Sequence, residues 1–305
     1  MMRSFRNNNL KEKFSLRQKI LVLLTGVCAG IVLLEIGLRA QGFFFLSLQA
    51  QLNKVSLQKS YAYRILCLGE SMTMFGGDAS YPSVLERILN ERGQGRKFSV
   101  INLGLSCTDS TYVVRHIREN LRKYAPDMVV TMMGIGDGAP PEFIQGPKPE
   151  TKTGRFMLLL GKEIKTKIAG AGFFPSLKRN PPSLSPEEAI AKKTKNYRMM
   201  KEFLDKEKIP WICVQYPTLS VGELKNMFGE GHDIIFVDNE SNFKEAVQIE
   251  GADAYFIDRF AGSFGHCTPK GNRLLAENIA RTILQEYFNL KTEVVYETDS
   301  SPENL

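Results

Sequence analysis

The 305 residues are 43% hydrophobic and 24% charged, a normal globular composition. The formal charge of +7 first suggests an acidic partner, but the excess is local. Residues 1–40 hold seven Lys/Arg against two acids, a net +5 that leaves +2 for everything after them. A nearly neutral body has no electrostatic footprint for nucleic acid, and three histidines give a structural zinc site little to build on.

The first expected element is an apolar helix. Ile20–Leu34 is uncharged and mostly apolar, and six basic residues precede it. Alone it falls short of the roughly 20 residues that cross a bilayer core. Glu35 and Arg39 stand four apart, however, and can pair on one helix face, and the chain is apolar again at Phe43, Phe44, Phe45 and Leu46. The expectation is a basic cytoplasmic segment over 1–19 and a single-pass transmembrane anchor over 20–46. The domain that follows then lies on the periplasmic or extracellular side, because basic residues stay in the cytoplasm. A cleaved signal peptide is the competing reading. Val27-Cys28-Ala29 would serve as its cleavage site, but the apolar stretch before it is only about nine residues. The five cysteines show no CxxC and no disulfide-framework spacing.

Residues 47–60 are polar and suit a helix or linker. Strands and helices then alternate. RILCLG (64–69) predicts a buried strand, 81–92 a helix, KFSVINLG (97–104) a strand and 111–124 a helix. DMVVTMMG (127–134) predicts the third strand. Residues 138–186 break the rhythm with repeated prolines and are expected as an insertion, either a lid over a cleft or a surface excursion. A helix near 186–206, a strand at 211–216, a helix around 221–228, a strand at 232–238 and a long helix at 271–288 complete a domain over 61–290. The acidic tail, 291–305, is expected to be disordered. Alternating strands and helices imply a five-stranded parallel sheet covered on both faces, with chemistry beyond the C-terminal strand ends.

Four strand-end or loop segments carry candidate chemistry. Gly69-Glu70-Ser71-Met72-Thr73 follows the first strand, where a serine on a tight turn can present its hydroxyl beside free N–H groups. Taken alone, such a serine is more often a helix N-cap. The second strand ends at Gly104 and the third in Gly134-Ile135-Gly136-Asp137-Gly138. Phe264-Gly265-His266-Cys267-Thr268-Pro269 leads into the last helix. A turn glycine and a lone histidine are each unremarkable alone.

In this order and at this spacing the four segments resemble the blocks of the SGNH (GDSL-type) hydrolases, over about residues 64–288. CTPKGNRLLAENIA is similar to that family's last block. The resemblance implies a three-layer α/β/α flavodoxin-like domain and ester hydrolysis without metal or cofactor. Ser71 would be the nucleophile and His266 its base, with the N–H groups of Ser71 and Gly104 as oxyanion donors.

Two signature positions depart from the family. Its oxyanion Asn falls on Gly136, which has no side-chain donor, and its triad Asp, three residues before the His, falls on Ser263. Losing one oxyanion donor typically costs ~10²–10³ in turnover, and losing the carboxylate that orients the His up to ~10⁴. Asp258 stands eight residues before His266 and is a possible substitute for the triad Asp. Asp137 is a possible holder of a water where the Asn amide would be. Restoring Asn at 136 and Asp at 263 is expected to raise turnover. Three readings follow: a serine esterase working through a Ser71–His266 dyad on an acyl or acetyl ester of a small molecule, glycan or lipid; a catalytically degenerate binding or scaffold domain; and a polysaccharide O-acyltransferase.

Overall fold

The computed structural model describes residues 15–139, 184–229 and 233–290. The described residues divide into two units, one of residues 15–44 and the other of all those from 45 onward. In the first, the described residues are the N-terminal part of helix α1 (Leu16–Leu57). Its apolar side chains, Leu21, Leu23, Val32 and Leu33 among them, are exposed. It is the one helix among the described residues long and apolar enough to cross a membrane, with a mean hydropathy of 2.4 over its best window. A signal sequence passes the same test.

The second unit is built on five parallel strands: β1 (Tyr63–Gly69), β2 (Phe98–Gly104), β3 (Met128–Met132), β4 (Trp211–Val214) and β5 (Ile235–Val237). Their spatial order is β2-β1-β3-β4-β5, the flavodoxin-like doubly wound order. Side chains alternate across the sheet and build a core on each face. Ile65, Cys67, Val130 and Ile212 pack with α3 (Tyr81–Arg92) and α8 (Pro269–Thr282), through Leu85, Leu89, Leu275 and Ile279. Leu66, Leu68, Ile101 and Val129 pack with α4 (Ser110–Tyr124) and α5 (Pro186–Glu207), through Val113, Ile117, Tyr197 and Met200. Both faces are therefore covered, as continuous apolar strands require.

Several elements differ from expectation, and three of them most. The strand at 232–238 shrinks to Ile235–Val237, and the helix around 221–228 to α6 (Val221–Lys225). Helix α7 (Glu240–Glu250) was not anticipated, because its polar sequence commits one fully buried residue, Phe243, to the core. Of the expected insertion, residues 140–183 lie outside the described residues, as does the tail from 291 onward.

Residues 47–57, which suited a helix or a linker, are the last turns of α1. From Phe45 onward the buried or half-buried positions are 45, 48, 49, 52, 53 and 56, one helical face. That face covers β2, which stands at the edge of the sheet with unpaired backbone groups. Asn53 acts as a surrogate neighbouring strand: its Oδ1 accepts from Asn102 N at 2.8 Å and its Nδ2 donates to Asn102 O at 2.7 Å. Glu86 and Asn90 of α3 take the N–H groups of Val100 and Phe98 at 2.6 and 3.0 Å. The edge is closed by side chains.

Candidate active site

β1 ends at Gly69, and the chain turns at once into α2 (Ser71–Met74) at the switch point between β1 and β3, where open α/β sheets leave a crevice. The turn is held from below by Glu70, which is 3% exposed and accepts the backbone N–H groups of Gly134 at 2.8 Å and Gly136 at 3.0 Å. The Tyr216 hydroxyl lies 3.2 Å from the same carboxylate. Burial pushes the Glu70 carboxyl up to about 7; the negative charge of Asp137 adds to this, and the two N–H donors and Tyr216 oppose it. Glu70 thus ties the end of β1 to the loop after β3. Behind the turn, a Cβ on Gly104 would stand 2.4 Å from Met74 N. Glycine is needed there for close approach of backbone, a stronger reason than a turn.

Ser71 Oγ is 2.9 Å from His266 Nε2. The histidine reaches the site because residues 255–268 form a short antiparallel clasp. Phe256 bridges Cys267, Ile257 N donates to His266 O at 2.8 Å, and Thr268 N donates to Tyr255 O at 3.0 Å. One step further along that register, Asp258 faces Gly265 and His266. Its Oδ2 is 2.6 Å from His266 Nδ1, and its Oδ1 accepts the His266 backbone N–H at 2.9 Å. Partial burial works against the Asp258 carboxylate, but the hydrogen bonds from His266 outweigh it and hold the pKa below its ordinary value. The rings of Phe75 and Phe260 lie 5.2 and 4.6 Å from the His266 ring.

The expected pair is therefore three groups in line, Ser71, His266 and Asp258. Ser263, the position three before the histidine, is elsewhere: its hydroxyl meets Thr218 Oγ1 at 2.8 Å. The family spacing missed Asp258 as the partner because it counts along the chain, whereas the clasp pairs residues across it. Gly265 was the available signal. A Cβ there would come within 1.9 Å of Asp258 O, so the two strands of the clasp meet where a side chain cannot fit.

The other expected residues take different positions. Asp137 is buried and bonded to Ser110, accepting from its N–H at 3.0 Å and its hydroxyl at 2.8 and 2.7 Å. It steadies the start of α4, with Lys192 3.8 Å away. Gly136 gives its N–H to Glu70, and a Cβ on it would stand 2.6 Å from Thr108 O. An Asn at 136 is thus opposed by backbone. Gly104 N–H, expected as an oxyanion donor, is taken by Asn102 Oδ1 at 2.9 Å. Of the two expected backbone donors, the Ser71 N–H is the one without a partner among the described residues. No group of three His, Cys, Asp or Glu among the described residues is arranged to hold a metal ion.

No family model matches the chain, and no curated protein sequence does. Among solved structures it is similar to the lipase/acylhydrolase of Enterococcus faecalis, with 18% identity, a TM-score of 0.45 and coverage of 75% of this chain and 98% of that one. It is also similar to a catalytic mutant of Axe2, an acetylxylan esterase of Geobacillus stearothermophilus, with 17% identity, a TM-score of 0.47 and coverage of 77% and 100%. The strand order itself is that of a doubly wound, flavodoxin-like α/β fold.

Proposed function

We propose that the chain is a serine ester hydrolase of the SGNH type, held at a membrane by its N-terminal helix, with Ser71, His266 and Asp258 as its catalytic residues. The observation that carries this is the line of two hydrogen bonds, 2.9 Å from Ser71 Oγ to His266 Nε2 and 2.6 Å from His266 Nδ1 to Asp258 Oδ2. As Ser71 Oγ attacks the ester carbonyl carbon, its proton passes to Nε2. Asp258 holds the Nδ1–H tautomer and stabilises the imidazolium. The carbonyl oxygen becomes an oxyanion, met by the Ser71 N–H. Collapse breaks the C–O bond, and Nε2 returns the proton to the leaving alcohol. Water, deprotonated by the same nitrogen, then hydrolyses the acyl-serine.

A small-molecule, glycan or lipid ester fits this chemistry equally. The anchor and an outside-facing domain are supported by the exposed apolar face of α1 and the basic residues before it. A catalytically degenerate binding domain is the second reading, favoured by Gly136 and by the engaged N–H of Gly104. Fluorophosphonate labelling of the purified full-length chain separates the two. Labelling and ester hydrolysis that vanish together in Ser71→Ala support the esterase; a folded wild-type chain inert to both supports the binding domain.

A further inference from the structure

Resting on the esterase reading, we propose that Gln49 and Asn102 are positioning residues for the nucleophile turn, so that helix α1 is a working part of the active site as well as a tether. Asn102 lies near the end of β2, is 6% exposed, and uses every polar atom of its side chain. Nδ2 donates to Thr73 O at 2.8 Å, inside the turn that carries Ser71. Oδ1 accepts from Gly104 N at 2.9 Å and from Gln49 Nε2 at 3.0 Å. Gln49 Nε2 also donates to Gly104 O at 3.0 Å. Rotating the Asn102 amide by half a turn would set its NH₂ against two donors and its oxygen against a carbonyl, so one orientation is strongly preferred.

Three chain segments meet at this amide: the Ser71 turn, the end of β2 and α1. Catalytic groups work when held within about 0.5 Å of the productive geometry by neighbours that are themselves fixed. Gln49 fixes Asn102, and Asn102 fixes the spacing between Gly104 and the Ser71 turn. Asn53 clasps the Asn102 backbone from the same helix face. Neither Gln49 nor Asn102 is assigned contact with the reacting atoms.

The test uses the full-length chain in detergent, with Gln49→Leu, Asn102→Asp and, as a control on an exposed position of the same helix, Gln51→Ala. Amide hydrogen exchange over residues 71–76 and 102–106 is read beside kcat, KM and the rate of fluorophosphonate labelling of Ser71. In Gln49→Leu and Asn102→Asp, both segments should exchange faster by about tenfold. Labelling and kcat should fall by about tenfold, with KM within about twofold, the pattern of lost transition-state positioning. Gln51→Ala should match wild type. Unchanged exchange in Gln49→Leu overturns the proposal, as does faster exchange with unaltered labelling. Gln49→Leu decides the matter if Asn102→Asp does not fold. If both segments respond but the wild-type chain itself neither labels nor hydrolyses esters, the clamp stands and the esterase reading falls.

Discussion

Asp258 and His266, eight residues apart in sequence, meet across a two-strand clasp with Oδ2 2.6 Å from Nδ1 and the His266 backbone N–H on the other carboxylate oxygen. A carboxylate bound at both oxygens by one residue is aimed as well as near. It fixes which imidazole nitrogen carries the proton, leaving Nε2 to face Ser71.

Asp258→Asn should therefore lower kcat by about 10²- to 10⁴-fold with little change in KM, because the ring loses its tautomer control and its charge partner. Ser263→Asp should leave kcat within about threefold of wild type, its side chain lying against Thr218. A strong gain from Ser263→Asp with no loss from Asp258→Asn would return the third position to residue 263. Steady-state kinetics on both variants measure this.

Gly265→Ala tests the clasp itself. Its Cβ would press on Asp258 O at 1.9 Å and Oδ1 at 2.3 Å, so the two strands must part. Fluorophosphonate labelling of Ser71 should fall by at least about tenfold while the far-UV spectrum stays that of the wild type, since the strain is confined to one loop. Normal labelling would mean the carboxylate is not needed where it lies.

Gly136→Asn, attractive from sequence as a restored oxyanion donor, should fail to raise turnover. The new Cβ meets Thr108 O at 2.6 Å, and relieving that contact disturbs the N–H that Glu70 accepts. A loss of roughly 1–3 kcal/mol in stability is expected, typical of overpacking. Thermal melts and kcat of the variant check it; a stable, faster enzyme would show that the loop has room.

Glu70 gives the protein a pH-dependent stability. Its folded pKa of about 7 lies above its unfolded value of 4.5, so the folded state binds the proton more tightly. That contribution is fully present below the unfolded pKa and is lost as pH rises through the folded one. Asp258 has the opposite sign, and its contribution is lost only as pH falls below the ordinary carboxylate range, outside this window. Wild type should lose stability relative to Glu70→Gln between about pH 5 and about pH 8. Melting temperatures of the two proteins across that range, with a difference that does not change, would remove Glu70 as the cause.

Sequence by itself determined the sheet and the positions of Ser71 and His266. Buried parallel strands are continuous apolar runs, and a serine or histidine just past a strand end or before a final helix is readable from local pattern. It could not determine which carboxylate meets His266, because the clasp of residues 255–268 sets contacts across its strands and not by spacing along them. Nor could it decide the role of 47–57. Gln49 and Asn53 have the polarity of a solvated linker, and they are covered only because an open sheet edge offers backbone N–H and C=O groups for them to satisfy. Gly136 and Gly104 were legible as departures and matches, but their N–H groups were spoken for by Glu70 and Asn102, partners that only the folded chain brings within 3.0 and 2.9 Å. Local periodicity reports which face of an element is buried; what that face meets is a property of the assembled fold.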